Sequence, residues 1–166
     1  MSEKPAILDF GCGNRKRPGS IGIDVNPRTD ADVVHDLNVF PYPFADSSFD
    51  EVYADNVIEH LAEPVRVMEE LHRITKAGAV VKVIVPYFRS LWAYIDPTHR
   101  HFFTVDSFTY YDPAHENNRL YNYSLAQFRI ERVALNENIN RGFITDVFKY
   151  IANRWPGHYE LYLSHL

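Results

Sequence analysis

Short apolar runs rich in β-branched side chains alternate along this chain with turn-rich polar stretches, and one longer segment repeats its apolar positions at helical spacing. The runs "AILDF" (6–10), "SIGIDV" (20–25), "DVVHDL" (32–37) and "DEVYADNV" (50–57) are bounded by Gly, Pro, Asn and Asp and predict four strands. In 63–78, Pro64 stands in a first turn, Val65, Met68, Leu71 and Ile74 mark one face, and Gly78 supplies a stop, which predicts an amphipathic helix. "AVVKVIVPYF" (79–88) follows as a strand expected to be buried on both faces, and "FRIERVALNEN" (128–138) reads as a sixth strand. This order of strands and helix implies an α/β fold, a doubly wound and mostly parallel Rossmann-like sheet.

Composition narrows the picture without changing it. At 166 residues and 46% apolar, the chain suits a single domain spanning 1–166. The longest apolar stretch is interrupted by Lys82, "MSEKP" opens no signal-type segment, and the single Cys12 rules out an intrachain disulfide framework. A cytoplasmic protein without a membrane partner is expected. Net charge is −5 and the basic residues are scattered apart from Arg15, Lys16 and Arg17, so no nucleic-acid partner is expected.

In wound parallel sheets, ligands bind outside the carboxyl ends of the strands. The first run is followed by Gly11-Cys12-Gly13, where missing side chains admit a ligand close to the backbone. The second ends in Asp24, the third in Asp36-Leu37, and the fourth in Asn56 followed by Glu59-His60-Leu61. An acidic side chain in the place of Asp24 accepts hydrogen bonds from ribose hydroxyls. Small or acidic groups thus stand at all four strand ends.

From about Ile7 to Phe88 the chain resembles the class I S-adenosylmethionine-dependent methyltransferases, small-molecule type. "LDFGCG" is similar to the glycine-rich first motif, which implies that Asp9 orients the methionine portion while Gly11, Cys12, Gly13, Asn14 and Arg15 line it. "GID" is similar to the ribose motif, with Asp24 on the hydroxyls and Val25 beside the adenine. "HDL" implies Asp36 on the exocyclic amine and Leu37 against the ring; "FADSSFDEVYADNVIEHL" implies Asn56 near the methionine backbone and His60 near the methyl group. The implied cofactor is S-adenosyl-L-methionine, and the implied activity is methyl transfer to an O or N atom of a small-molecule acceptor. The alternative is a module that binds S-adenosylmethionine or S-adenosylhomocysteine without transfer. A nicotinamide enzyme would want a third glycine that Asn14-Arg15-Lys16 do not provide.

Two departures from the family stand out. Seven residues separate Gly13 from Ile21, with Pro18-Gly19 among them, so the usual crossover helix is expected to shrink to a loop or single turn. Arg15 or Lys16 would then take over charge near the methionine carboxylate, unless the basic trio is simply a solvated loop. The chain also shows no clear final strand; Phe143, Val147, Phe148, Ile151 and Trp155 form a helical face expected to cover exposed sheet or to join a homo-oligomer.

The acceptor is expected near 87–127, a stretch of lid length rich in aromatics, in which "SFTYYD" predicts a short helix capped by Asp106 or Ser107. His60, His99 and His101 are the catalytic candidates, as a base for a hydroxyl acceptor or as hydrogen-bond partners to it. Asp96, His99 and His101 also invite a metal reading, but Pro97 and Arg100 work against it, and no metal is expected.

Overall fold

The computed structural model describes residues 4–135, 150 and 152–158. Its strands are β1 (Ile7–Phe10), β2 (Ile21–Asp24), β3 (Val33–Val34), β4 (Phe49–Asp55) and β5 (Thr75–Ile84). They form one parallel sheet in the order β3-β2-β1-β4-β5. The chain winds outward from β1 to β3, then returns to β4 on the other side of β1. Between β1 and β4 lies the reversal of strand order where such sheets open a ligand crevice.

Strand alternation sorts the side chains cleanly. Leu8, Phe10, Ile23, Val52 and Ala54 are buried on one face with Val81 and Val83, beneath Val67, Met68, Leu71 and Ile74 of helix α1 (Pro64–Ile74). Phe103, Phe108, Tyr111 and Phe128 extend that same core. Asp9, Gly22, Glu51, Tyr53, Val80 and Lys82 occupy the other face.

That second face would ordinarily lie under the first crossover helix. Here the crossover is built of turns, as expected from Pro18-Gly19, and its side chains provide the cover. The Arg17 guanidinium lies 4.0 Å over the Tyr53 ring and its backbone N–H donates to Asp9 Oδ2 at 2.7 Å. Lys16 crosses Gly22 to reach both Asp32 oxygens at 2.8 Å. A Cβ on Gly22 would meet Lys16 Cδ at 2.6 Å and Cys12 Sγ at 2.8 Å, so the bare backbone there makes room for the loop.

Several boundaries differ from the sequence reading. The helix ends at Ile74 instead of reaching Gly78, and β5 starts at Thr75, whose hydroxyl donates back to the Leu71 carbonyl at 2.8 Å. Gly78 lies inside β5 with φ of 80°, within a register irregularity opposite Phe49–Glu51. β5 is not buried on both faces: Val80 is 55% exposed, because no further strand or helix among the described residues covers that side. The expected sixth strand is absent from 128–135, and its remainder, 136–138, lies outside the described residues. "SFTYYD" forms a 3₁₀ turn (Thr109–Tyr111) without a side-chain cap from Asp106 or Ser107. Phe143, Val147, Phe148 and Ile151 also lie outside the described residues, whereas Trp155 is 48% exposed.

Candidate functional site

The strand-end residues gather on one edge of the sheet. Gly11 follows β1 in a left-handed conformation (φ 72°), and a Cβ there would sit 2.6 Å from Val57 Cγ2. The loops after β1 and β4 therefore touch, which closes the floor of the crevice. Gly13 (φ 53°) has nothing within 4 Å of where its Cβ would stand, so its backbone faces open space. Asp24 sits at the end of β2 with Oδ2 accepting from the Gly13 N–H and Oδ1 from the Asn26 N–H, both at 2.9 Å. Each carboxylate oxygen has a second lone pair, so Asp24 both shapes the loop and retains capacity for two hydroxyls.

Asp36 is exposed, and Asn38 donates to its Oδ1 from both backbone and side chain, at 2.9 and 3.1 Å. The backbone donor first, then the side-chain amide, holds its carboxyl below the ordinary value. Val25 is 57% exposed beside this edge, whereas Leu37 is only 4% exposed and packs in the core. Asn56, at φ 52° just past β4, is exposed with its amide on Asp55 Oδ1 at 2.9 Å. Asp9 is 5% exposed and anchors the Arg17 N–H, so it fixes the loop from below. Cys12 is buried; burial, then Asp24 and Asp9, push its thiol up, which suits packing rather than nucleophilic chemistry. Asn14 and Arg15 are exposed, and Lys16 is held by Asp32. Among the described residues of the basic trio, Arg15 alone keeps its charge on the open side.

The segment after β5 folds back over the turn Ile58–His60 that follows β4. The Glu59 carbonyl accepts from the Arg100 N–H at 2.8 Å and the His101 N–H at 3.3 Å, and the His101 Nε2 meets the Leu61 carbonyl at 2.9 Å. This docking brings His60 and His99 together with ring centroids 4.6 Å apart. It leaves His101 as a pin for the loop. Asp96 is committed to Thr98, 2.8 Å from its N–H and 2.6 Å from its hydroxyl, so Asp96, His99 and His101 do not converge. Beside the histidines stands a carboxylate to which the sequence alone assigns no role: Glu59 is wholly buried, and burial pushes its carboxyl up to about 7. The available signal was an acid set between Ile58 and His60 within an otherwise apolar "VIEHL". Exposed Leu91, Trp92, Tyr94, Ile95 and Phe102 flank this cluster, around the short helix α2 (Trp92–Ile95), and Tyr94 stacks on Phe102 at 4.8 Å.

The open backbone at Gly13 and the free lone pairs of Asp24 and Asp36 fit an adenosyl cofactor with an amino-acid tail. The family model described as a methyltransferase domain matches residues 8–83. No curated protein sequence matched the chain. A solved S-adenosylmethionine-dependent methyltransferase from Archaeoglobus fulgidus is 16% identical, with 92% of this chain and 80% of that one covered at a TM-score of 0.54, a likeness of fold. A chain from a Haloferax volcanii complex containing the Trm112 methyltransferase activator is 28% identical over 52% of this chain and 47% of its own length, TM-score 0.43. The YcgJ protein of Bacillus subtilis is 17% identical over 60% of this chain and 56% of its own, TM-score 0.48. The chain thus spans about half the length of these last two. Over residues 8–83, somewhat less than half of its length, the chain is similar to the methyltransferase domain family, and its fold is that of a solved S-adenosylmethionine-dependent methyltransferase.

Proposed function

We propose that the protein transfers a methyl group to an oxygen or nitrogen of a small molecule held between the strand ends and the segment 87–112. The observation that supports this most is that two unlike groups stand at the carboxyl ends of the strands: the open Gly13 backbone with the Asp24 and Asp36 carboxylates after β1, β2 and β3, and a histidine cluster after β4. S-adenosylmethionine supplies an electrophilic methyl group on a sulfonium when bound. Asp24 would hold the ribose, Asp36 the exocyclic amine, Val25 the ring, and Gly13 with Asn56 the amino-acid tail. His60 and His99 face the acceptor side, where a hydroxyl or amine must shed a proton, and Trp92, Tyr94 and Phe102 exclude water from it. The 87–127 region serves as the acceptor-side lid, with His101 fixing its seat.

Calorimetry with S-adenosylhomocysteine and NAD tests the cofactor half; the former binds and the latter does not. Asp24→Ala weakens S-adenosylhomocysteine binding by roughly 1.5–3 kcal/mol, the scale for hydrogen bonds to a charged group, and Asp24→Asn by less. Equal affinity in the parent and both variants removes the ribose assignment. Release of labelled methyl to hydroxyl- and amine-bearing acceptors then tests transfer, and binding without release to any of them leaves a module that only holds the cofactor.

A further inference from the structure

Glu59 presents an unsolved electrostatic problem. Its side chain is 0% exposed, yet neither carboxylate oxygen has a hydrogen-bond partner among the described residues. A buried carboxylate with no donor is costly, and its neighbours must offset it. Those neighbours are two imidazoles: His99 Nε2 lies 3.9 Å from Glu59 Oε1, and one ligand atom from each of Glu59, His60 and His99 lies within 4.8 Å of the others.

The hydrogen bonds around the rings decide what they offer. His99 Nδ1 faces the Ala93 carbonyl at 3.1 Å, and a carbonyl only accepts, so Nδ1 carries the hydrogen and Nε2 of the neutral ring a lone pair. His60 Nδ1 faces the Thr98 hydroxyl at 2.9 Å, and that hydroxyl gives its own proton to Asp96 Oδ1 at 2.6 Å. His60 Nδ1 must then donate, which leaves its Nε2 with a lone pair as well. With Glu59 ionised and both rings neutral, three acceptors meet and nothing donates among them. At 3.9 Å the Glu59–His99 pair is too long for a hydrogen bond, and it stands about 0.5 Å beyond the roughly 3.4 Å between two tetrahedral ligands on one ion.

We propose that Glu59, His60 and His99 bind a divalent transition-metal ion, of the class of Co²⁺, Zn²⁺ or Mn²⁺. Two imidazoles and a carboxylate select such ions over Mg²⁺ or Ca²⁺, which prefer an all-oxygen shell. The bond from His99 Nδ1 to Ala93 leaves the His99 Nε2 toward Glu59, and the bond from His60 Nδ1 to Thr98 leaves the His60 Nε2 as that ring's ligand atom. Closing ligand atoms from 4.8 Å onto bonds of about 2.1 Å asks for side-chain shifts of about 1 Å. Three protein ligands leave positions open, and His60 is only partly buried, so the open side faces the acceptor. An ion there takes the acceptor's oxygen and makes it more acidic, which favours a hydroxyl over an amine. This last step rests on the methyl-transfer reading; the binding of the ion does not.

The test uses the full chain stripped with EDTA, titrated with Co²⁺ and Zn²⁺, followed by metal analysis, visible absorption and thermal melts, with S-adenosylhomocysteine calorimetry on the same metal-free samples. The expected result is one ion per chain and a Tm that climbs with Co²⁺ concentration. Glu59→Gln keeps the side chain's shape and removes the buried charge, so the metal-free variant is at least as stable as the parent while stoichiometric binding and the Tm shift vanish. His99→Ala loses the ion too, and Thr98→Val weakens it by about 10–100-fold. Metal-free Glu59→Gln still binds S-adenosylhomocysteine. The proposal is overturned if neither ion binds stoichiometrically at up to about 100 μM, an affinity weaker than any resident ion needs. It is equally overturned if Glu59→Gln binds as the parent does, or melts well below it when metal-free. Ion binding in a protein that fails to bind S-adenosylhomocysteine sustains the metal site and removes the methyltransferase reading instead.

Discussion

Two glycines two residues apart carry separate duties. Gly11 needs both its left-handed φ of 72° and the space that Val57 fills at 2.6 Å, so Gly11→Ala strains the backbone and displaces a buried side chain. A loss of roughly 2–4 kcal/mol of folding stability is expected in urea melts. Gly13→Ala meets no neighbour and costs about 1 kcal/mol for its φ alone, yet its methyl enters the proposed ligand space. S-adenosylhomocysteine affinity should therefore fall in Gly13→Ala far more than stability does, and comparable losses in both would mean that the open space is not the cofactor's. At this scale the sequence was informative where a residue's type limits its conformation or charge, as at Gly11, Gly13 and Asp24. It was silent where burial decides. Leu37 reads as a strand-end side chain and turns inward to the core, and Glu59 reads as one polar residue among many until its isolation is seen.

Among the elements, the shortened crossover and the anchor of α1 show what replaces regular structure. Arg17 covers Tyr53 and reaches Asp55 at 3.7 Å, so Arg17→Ala strips stacking as well as charge and should cost about 1–2 kcal/mol. Arg73 ties α1 to the stretch before β4: its Nε and Nη2 donate to Glu70 at 2.8 and 2.7 Å, and further bonds reach Asp46 and the Tyr42 and Phe44 carbonyls. Arg73→Lys cannot reproduce that fork. We expect it to lose most of what Arg73→Ala loses, roughly 2–4 kcal/mol, and full rescue by lysine in denaturation curves would refute a geometric role. The presence of the strands and of α1 could be read from periodicity, because a half-buried helix writes its face into every turn. Their ends could not. Thr75 passes from helix to strand without a break, since its hydroxyl caps Leu71 while its backbone already pairs with Phe49, and Gly78 turned out to serve a bulge.

At the acid end, pH acts on the stability of the whole molecule through held carboxylates. The Ile130 and Ala114 N–H groups hold Asp112 below its ordinary value, the Asn38 N–H does so for Asp36, and the Arg73 guanidinium for Glu70. Each folded value lies under the unfolded one, so the stabilisation is complete above the unfolded values near pH 4–4.5 and is lost as pH falls through the folded ones. Stability should be flat with respect to these groups from neutral pH to about 5 and drop steeply below about 4, with a shallower drop in Asp112→Asn. An unchanged acid limb in that variant would exclude Asp112 as a contributor. The turn-built crossover has one more consequence, and it concerns the order of folding. Pairing Leu8 with Ile21 closes a far shorter stretch of chain than pairing Leu8 with Val52. The difference in closure entropy is about 1 kcal/mol in favour of the first pair. The half of the sheet that carries Gly11, Gly13 and Asp24 can therefore assemble early as a local unit, before β4 and β5 arrive to complete the crevice. Truncating Ile23 should slow folding, whereas truncating Val83 should mainly speed unfolding.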